Sequence, residues 1–169
     1  QLTDSINLIT YSFKISKLEK LKTYSINNLN CTDIEFKCLL PLFVYYIRYD
    51  VNDILFNYLI DKCFKTYNLI NSIYWELYIS KINEEYTSYK TIYYRKFEKL
   101  QHIMSKLEYQ TFYSNIITGY GLINCIDNIS KAFSKGENNF KNDSNFLFDK
   151  IIYLPVNPNI KLKSIDFNN

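Results

Sequence analysis

The chain is poor in the residues that interrupt helices. Its 169 residues include only three glycines and three prolines, too few for the many tight turns of a β-sandwich or β-barrel. Apolar residues make up 47% of the chain, which is typical of a globular protein and unlike a disordered one. A chain of this length can bury a core of its own. The composition therefore favours one globular domain built from long helices.

Membrane-spanning and export signals are also lacking. No apolar run approaches the ~20 residues needed to cross a bilayer. The first residues are polar and do not form the basic and apolar regions of a signal peptide. The chain begins with Gln1 and ends at Asn169. We therefore expect it to be the middle piece of a larger cytosolic protein.

Neither positive nor negative charge is in large excess. The net charge is only +3, and basic and acidic residues alternate along the chain, so the charge balance gives no reason to expect a nucleic-acid partner. Residues 93–99 mix basic and aromatic side chains, as a single-strand-binding surface does. Glu98 and the helical period of this stretch favour a structural helix instead.

Few residues could carry chemistry. His102 is the only histidine, and without a Ser, Cys or Asp partner at a suggestive spacing it is interpreted as a surface residue. Glu84 and Glu85 do not face each other on a helix, which favours a solvated face. The four cysteines form no CxxC motif and are interpreted as small buried thiols. We therefore predict no catalytic, cofactor-binding or metal-binding residue in this chain.

Helical periodicity dominates the first half of the chain. Apolar residues recur there at three- and four-residue steps, most clearly at Phe36, Leu39, Leu40, Phe43, Val44 and Ile47. Thr32 or Asp33 is the predicted N-cap of this helix, with Glu35 in its first turn. Pro41 lies inside it and is expected to remove one backbone hydrogen bond and bend the helix. Two short helices precede it, separated from it by a loop at 27–30.

The second half continues with four more helical segments, up to about residue 133. The last segment has a predicted apolar stripe with two glycines inside it, Gly119 and Gly121, which indicate a kink or a closely packed neighbour. The stripe residues are Phe112, Ile116, Tyr120, Ile123, Ile126 and Ile129. Beyond the helices, Ile160 and Leu162 alternate with lysines as in a strand.

The predicted fold class is all-α: an antiparallel, α-solenoid-like helical stack with a short C-terminal strand. The expected organisation is a helical domain over residues 1–133, a linker over 134–152 with room for one helical turn, and the start of a further domain over 153–169. No strict repeat is visible, so this is not a consensus repeat array.

Two segments resemble a known family. Residues 40–50 read LPLFVYYIRYD and resemble the LPQ[LI]VQALRYD helix of the accessory (helical, or PIK) domain of phosphatidylinositol kinases. Residues 153–158 read YLPVNP, followed by Ile165-Asp166-Phe167. They resemble the YLPSNP…DIDY segment that leads into the kinase N-lobe of type III alpha phosphatidylinositol 4-kinases. The residues that match the family motifs are Arg48, Tyr49, Asp50, Trp75, Tyr153, Leu154, Pro155, Asn157 and Pro158.

The resemblance has departures. Leu42 and Tyr45 stand where the family has glutamines, and Tyr46 stands where it has alanine. The spacing also fits a class III phosphatidylinositol 3-kinase, whose corresponding segments are LVQALKYE and LPLxP. Arg48-Tyr49-Asp50 and the YLPVNP segment favour the 4-kinase.

The resemblance implies a scaffold function. The chain is then the PIK helical domain of a lipid kinase that transfers the γ-phosphate of ATP, with Mg²⁺, to the 4-hydroxyl of phosphatidylinositol, while the catalytic residues lie beyond Asn169. Its implied partners are its own kinase domain, a phosphatidylinositol membrane through the whole protein, and helical-repeat scaffold subunits. The implied location is cytoplasmic, peripheral at membranes. An isolated helical adaptor without a kinase explains the helices equally well.

Overall fold

The computed structural model describes residues 2–15, 18–65, 67–135, 152–153 and 161–162. Two compact units divide the chain, Gln1–Ile103 and Met104–Asn169. Seven α-helices form the described part of these units, which confirms the all-α class. The antiparallel stacking of the helices stays a prediction. So do the boundaries at 133 and 152, which differ from the division between the two units and border residues outside the described part.

Six helices account for most of the first unit. They are α1 (Leu2–Lys14), α2 (Glu19–Asn27), α3 (Asp33–Tyr46), α4 (Ile54–Cys63), α5 (Tyr67–Asn83) and α6 (Thr87–Met104). The helices lie close to their predicted segments, because a 3.6-residue apolar period depends on local sequence alone. Helix α6 ends at the residue where the second unit begins.

Helix α3 begins with a capping box, which confirms the prediction at Thr32. The Thr32 hydroxyl accepts a hydrogen bond from the Glu35 amide at 3.3 Å, and the Glu35 carboxylate accepts one from the Thr32 amide at 2.8 Å. Two backbone donors that lack intrahelical partners are thereby satisfied. Pro41 lies inside the helix, as predicted. The bend that we expect at Pro41 stays a prediction.

The core of the first unit forms where α3 packs on α5 and α5 packs on α4. Burying these aliphatic and aromatic side chains is the main source of stability, at roughly 1.5–3 kcal/mol for each fully buried residue. Each of the three helices buries one stripe of side chains. The buried residues are Phe36, Leu40, Phe43 and Val44 of α3, Leu55, Phe56 and Leu59 of α4, and Ile70, Ile73, Tyr74 and Leu77 of α5.

A small polar contact joins α1 to α2. The hydroxyls of Ser12 and Ser25 lie 2.8 Å apart, and both side chains are buried. Each hydroxyl also lies within hydrogen-bond distance of a carbonyl three residues earlier on its own helix. Because a hydroxyl has one proton, one serine donates to the other, which in turn donates to its own carbonyl. Helix α1 is tied to α3 as well, because the Tyr46 hydroxyl donates to the Thr10 hydroxyl at 2.9 Å. These bonds tie α1 to both α2 and α3.

The second unit contains α7 (Gln110–Ser134) after a 3₁₀ turn at Leu107–Tyr109. The predicted stripe of α7 is wrong in its second half, where Ile123 and Ile126 are 41% and 51% exposed. The buried face instead follows Ile116, Gly119, Leu122 and Cys125. Gly119 offers no side chain and allows close approach, so the buried face includes it and shifts by one residue.

A short antiparallel pairing completes the second unit. Strand β1 (Ile152–Tyr153) pairs with β2 (Lys161–Leu162), with Ile152 opposite Leu162. Residues 136–151, 154–160 and 163–169 lie outside the described residues. The linker over 134–152 and the C-terminal strand leading into a kinase domain therefore stay predictions.

The capping box gives the first testable prediction. Replacing Thr32 by alanine removes the side-chain acceptor at the start of α3, so we expect the free energy of unfolding to fall by about 1 kcal/mol. Urea unfolding followed by circular dichroism measures the change. Thr23→Ala, on the exposed side of α2, is the matched control and is expected to leave stability equal or slightly higher. Equal losses in the two variants would contradict the capping role.

Candidate functional site

The motif residues Arg48, Tyr49 and Asp50 lie at the end of α3, in and just after a 3₁₀ turn at Ile47–Tyr49. Arg48 reaches the end of α5, where its Nη2 lies 3.0 Å from Oε2 of Glu84. Glu84 is only 8% exposed, so the predicted solvated face is wrong for this residue. The guanidinium explains the burial, since it neutralises the carboxylate that leaves water.

Tyrosine rings surround the Arg48 guanidinium. Its Cζ lies 4.1 Å from the ring centre of Tyr45, 5.2 Å from that of Tyr89 and 5.9 Å from that of Tyr93. A cation over aromatic faces is attracted by their quadrupoles, more strongly where water is partly excluded. Tyr93 also donates its hydroxyl proton to the Val44 carbonyl at 3.0 Å. These contacts fasten α6 to the end of α3.

Tyr49 lies beside this cluster. Its ring is 6.3 Å from that of Tyr45 and 5.7 Å from that of Tyr89, both in edge-to-face orientation. Partial burial, together with the neighbouring Tyr45 hydroxyl, raises the pKa of Tyr49 to about 12. The Tyr49 hydroxyl therefore stays protonated at neutral pH. Its carbonyl accepts a hydrogen bond from Lys22 Nζ at 3.2 Å, which connects α2 to the motif.

Asp50 is more deeply buried than Arg48 and Tyr49, at 1% exposure. One carboxylate oxygen accepts from the Ile54 amide at 3.0 Å and the other from the Phe56 amide at 2.9 Å. Both amides belong to the first turn of α4, where backbone donors have no intrahelical partner. A carboxylate at this position also meets the positive end of the helix dipole. Asp50 therefore holds the start of α4.

Lys96 of α6 supplies the positive charge opposite Asp50. Its side chain is fully buried, and its Nζ donates to the Asp50 carbonyl at 2.9 Å and lies 3.9 Å from a carboxylate oxygen of Asp50. Asp53 forms ion pairs with both Lys96 and Lys99. Asp53 has a φ of 63°, the left-handed conformation that lets the chain turn sharply into α4. Burial lowers the pKa of Lys96 to about 8, against the opposing effect of Asp50.

The five charged residues form one structural unit, named here the polar seam: Arg48, Asp50, Asp53, Glu84 and Lys96. They link the end of α3, the start of α4, the end of α5 and the middle of α6. Sequence reasoning missed Lys96, although it lies three residues after Tyr93 and four before Leu100, on the buried face of α6. A lysine within an apolar stripe was the available signal.

A groove borders the polar seam on the side of α1 and α2. It has a volume of about 530 Å³ and is lined by the end of α1, the start of α2 and residues between 48 and 54. Arg48 and Tyr49 contribute to its wall, opposite Lys14, Ile15, Glu19 and Lys22. The groove therefore combines charged and apolar walls next to the family motif.

The remaining motif residues do not join the polar seam. Trp75 is half-buried on α5 and packs edge-to-face on Tyr74 and Tyr78, each with ring centres 5.5 Å apart. Tyr153 lies in β1, whereas Leu154, Pro155, Asn157 and Pro158 lie outside the described residues.

His102 is exposed on α6, as predicted. The cysteines follow the prediction only in part, because Cys63 and Cys125 are buried while Cys31 is half-buried and Cys38 is exposed. Within the described ranges, no three His, Cys, Asp or Glu side chains are grouped so that they could hold a metal ion. None of the helices described here combines the length and the apolar character needed to cross a membrane.

Comparisons with protein-family models, with curated proteins and with solved structures found nothing that matches this chain. The structure describes residues 40–50 in full and, of residues 153–158, Tyr153 alone.

The polar seam gives a prediction for Asp50. In Asp50→Asn the Lys96 ammonium loses a buried counter-charge, and one of the two amides of α4 loses its acceptor. We expect the free energy of unfolding to fall by about 3 kcal/mol. Urea unfolding measures this loss. Asp61→Asn removes an exposed carboxylate from the same helix and is expected to change stability by less than about 0.5 kcal/mol. Similar values for the two variants would contradict the seam.

Cys63 gives a prediction that depends on pH. Burial raises the pKa of this thiol from 9.0 to about 12, so the unfolded chain releases the proton in a pH range where the folded chain keeps it. Stability is then unaffected below pH 9 and falls as the pH rises towards 12. Between pH 7 and pH 10 the wild type should lose about 1 kcal/mol more than Cys63→Ala. Urea unfolding at both pH values measures this difference, and an equal loss in both proteins would contradict the burial of the thiol.

Proposed function

We propose that this chain is the helical accessory domain of a phosphatidylinositol 4-kinase and acts as a scaffold for the catalytic domain of the same protein. The observation that carries the proposal is the environment of the LPLFVYYIRYD motif. Its Arg48 and Asp50 are engaged with Glu84 and Lys96. A motif whose charged residues are buried in this way has a structural role, which fits a rigid support.

The chemistry of the polar seam supports a structural role for these residues and not a catalytic one. Lys96 and Asp50 are neutralised by partners and hydrogen-bonded to backbone groups, whereas a nucleophile or general base must reach a substrate. In this proposal the ATP, the Mg²⁺ and the residues that phosphoryl transfer requires belong to the kinase domain. Residues 1–169 contribute rigidity and surface.

The departures from the family motif are compatible with the same fold. Tyr46, at the family's alanine position, is buried and reaches Thr10 of α1. Tyr45, at a glutamine position, covers the Arg48 guanidinium. Leu42, at the other glutamine position, is half-buried. These side chains make hydrogen-bonding, aromatic and apolar contacts within α3 and its neighbours, so the motif is held in place by interactions of its own.

Exposed isoleucines on α7 supply a surface of the kind that a second domain buries. Ile123 and Ile126 are one helical turn apart and lie on the same side of the helix. Apolar side chains in such an arrangement are common where domains meet. In this proposal the kinase domain packs on them.

Two other functions stay open to test. A class III phosphatidylinositol 3-kinase shares the scaffold argument and differs in the hydroxyl that is phosphorylated. A helical adaptor without catalytic activity is favoured by the same exposed side chains of α7, since a partner protein could cover them equally well. It leaves the resemblance of residues 153–158 to a kinase entry segment without explanation.

The product of a lipid kinase assay distinguishes these functions. The full-length protein is incubated with phosphatidylinositol and labelled ATP, and the 3- and 4-phosphate products are separated by chromatography. We expect the 4-phosphate from the full-length protein and no phosphotransfer from residues 1–169 alone. In full-length Asp50→Asn the activity should be lost at a lower temperature than in Asp61→Asn, because the scaffold is weakened.

Each contrary outcome has a definite meaning. The 3-phosphate assigns the chain to the class III family, and no product from a folded full-length protein favours the adaptor. Phosphotransfer by residues 1–169 alone contradicts the scaffold role itself.

A further inference from the structure

A second surface stands out where the end of α1 and the start of α2 lie beside the turn before α4. Lys22 Nζ donates to the Tyr49 carbonyl at 3.2 Å, and the Asn52 amide donates to the Glu19 carboxylate. These bonds hold the two segments on opposite sides of the 530 Å³ groove. We call this surface the α1–α2 corner, defined by Lys14, Ile15, Leu18, Glu19, Lys20, Lys22, Tyr24, Val51 and Asn52.

Large apolar side chains project from the α1–α2 corner. Ile15, Leu18 and Val51 are 66%, 68% and 67% exposed, although they come from two segments of the chain that lie more than 30 residues apart. Tyr24 is exposed beside Leu18 and lines an adjoining depression. Singly exposed apolar residues are ordinary on protein surfaces. Several that converge on one corner mark a site of interaction.

Positive charge surrounds these side chains. Lys14 and Lys20 are exposed and Lys22 is half-buried. Glu19 is the one carboxylate of the corner, and it accepts the Asn52 amide. The nearby carboxylates of Asp50 and Asp53 are paired with Lys96. The corner therefore carries an excess of positive charge around an apolar tip.

We propose that the α1–α2 corner docks on an anionic membrane surface, with Ile15, Leu18 and Val51 entering the interface and the lysines facing acidic headgroups. Apolar insertion combined with lysine attraction is the way in which peripheral proteins bind such surfaces. This inference goes beyond the proposed function, because it concerns a surface of this chain and holds whether or not a kinase domain is attached.

The shape of the corner favours a membrane over a peptide. A peptide groove offers apolar area on its floor, where anchor side chains are buried. Among the residues that line this groove, Phe13 is already covered by its own protein, whereas Ile15 and Val51 are 66% and 67% exposed. The accessible apolar area is therefore on protruding side chains, which suit a flat, deformable surface better than an extended chain.

Vesicle flotation of residues 1–169 tests the proposal. We expect binding to vesicles of phosphatidylcholine with phosphatidylserine, weaker binding at high salt because the charges are screened, and little binding to phosphatidylcholine alone. The double variant Leu18→Asp, Val51→Asp should lower the partition coefficient by about tenfold. Leu18 occupies the N-cap position of α2, where aspartate is a preferred residue, so this variant is expected to stay folded.

A charge-matched pair of variants provides the control. Lys14→Glu with Ile15→Asp alters the corner, and Lys37→Glu with Ile34→Asp makes the same chemical changes at exposed positions of α3. Only the first pair should abolish flotation, with circular dichroism confirming that both remain folded.

Equal flotation of wild type and folded corner variants overturns the proposal, as does equal binding to both vesicle types. The proposal is also overturned if the wild type is a dimer, the corner variants are monomers and neither binds vesicles. That result would assign the corner to contact with a second copy of the chain. These outcomes do not depend on the result of the lipid kinase assay. The proposed function and the membrane docking can therefore fail separately.

Discussion

The Asp50 carboxylate is the constraint on which the arrangement of the first unit depends. It lies in the interior, so its charge requires both a cation and hydrogen-bond donors. Lys96 supplies the charge from α6, and the amides of Ile54 and Phe56 supply the donors from α4. These needs bring three separate segments to one point. Neighbouring Arg48 repeats the arrangement with Glu84, at the end of α5.

This arrangement also determines the outer surface next to it. The residues between Asp50 and Ile54 form a tight turn with Asp53 in the left-handed conformation. Val51 and Asn52 are consequently exposed and line the groove together with residues of α1 and α2. The scaffold role proposed for the motif and the membrane contact proposed for the α1–α2 corner therefore share one structural origin. A single turn joins the buried side of the motif to its exposed side.

Sequence reasoning predicted the features that depend on local pattern. The all-α class, the Thr32 cap and the buried stripe of α3 follow from spacing and capping chemistry within a few residues. The polar seam could not be predicted in this way. Lys96 and Glu84 are buried because of charges 46 and 36 positions away in the chain, and a solvated face is the ordinary reading of such residues. On α7 the buried face passes through Gly119, one residue from the predicted stripe, and a pattern of apolar side chains does not register a glycine.

Hydrogen exchange at the amides of Ile54 and Phe56 tests the central claim most directly. These amides lie in the first turn of α4, where they have no intrahelical acceptor and depend on Asp50. If the polar seam holds the helices together, both amides exchange only as fast as the whole unit unfolds. Rapid exchange of these two amides while the core of α4 stays protected would contradict the account, because it would show that Asp50 releases α4 without loss of the fold.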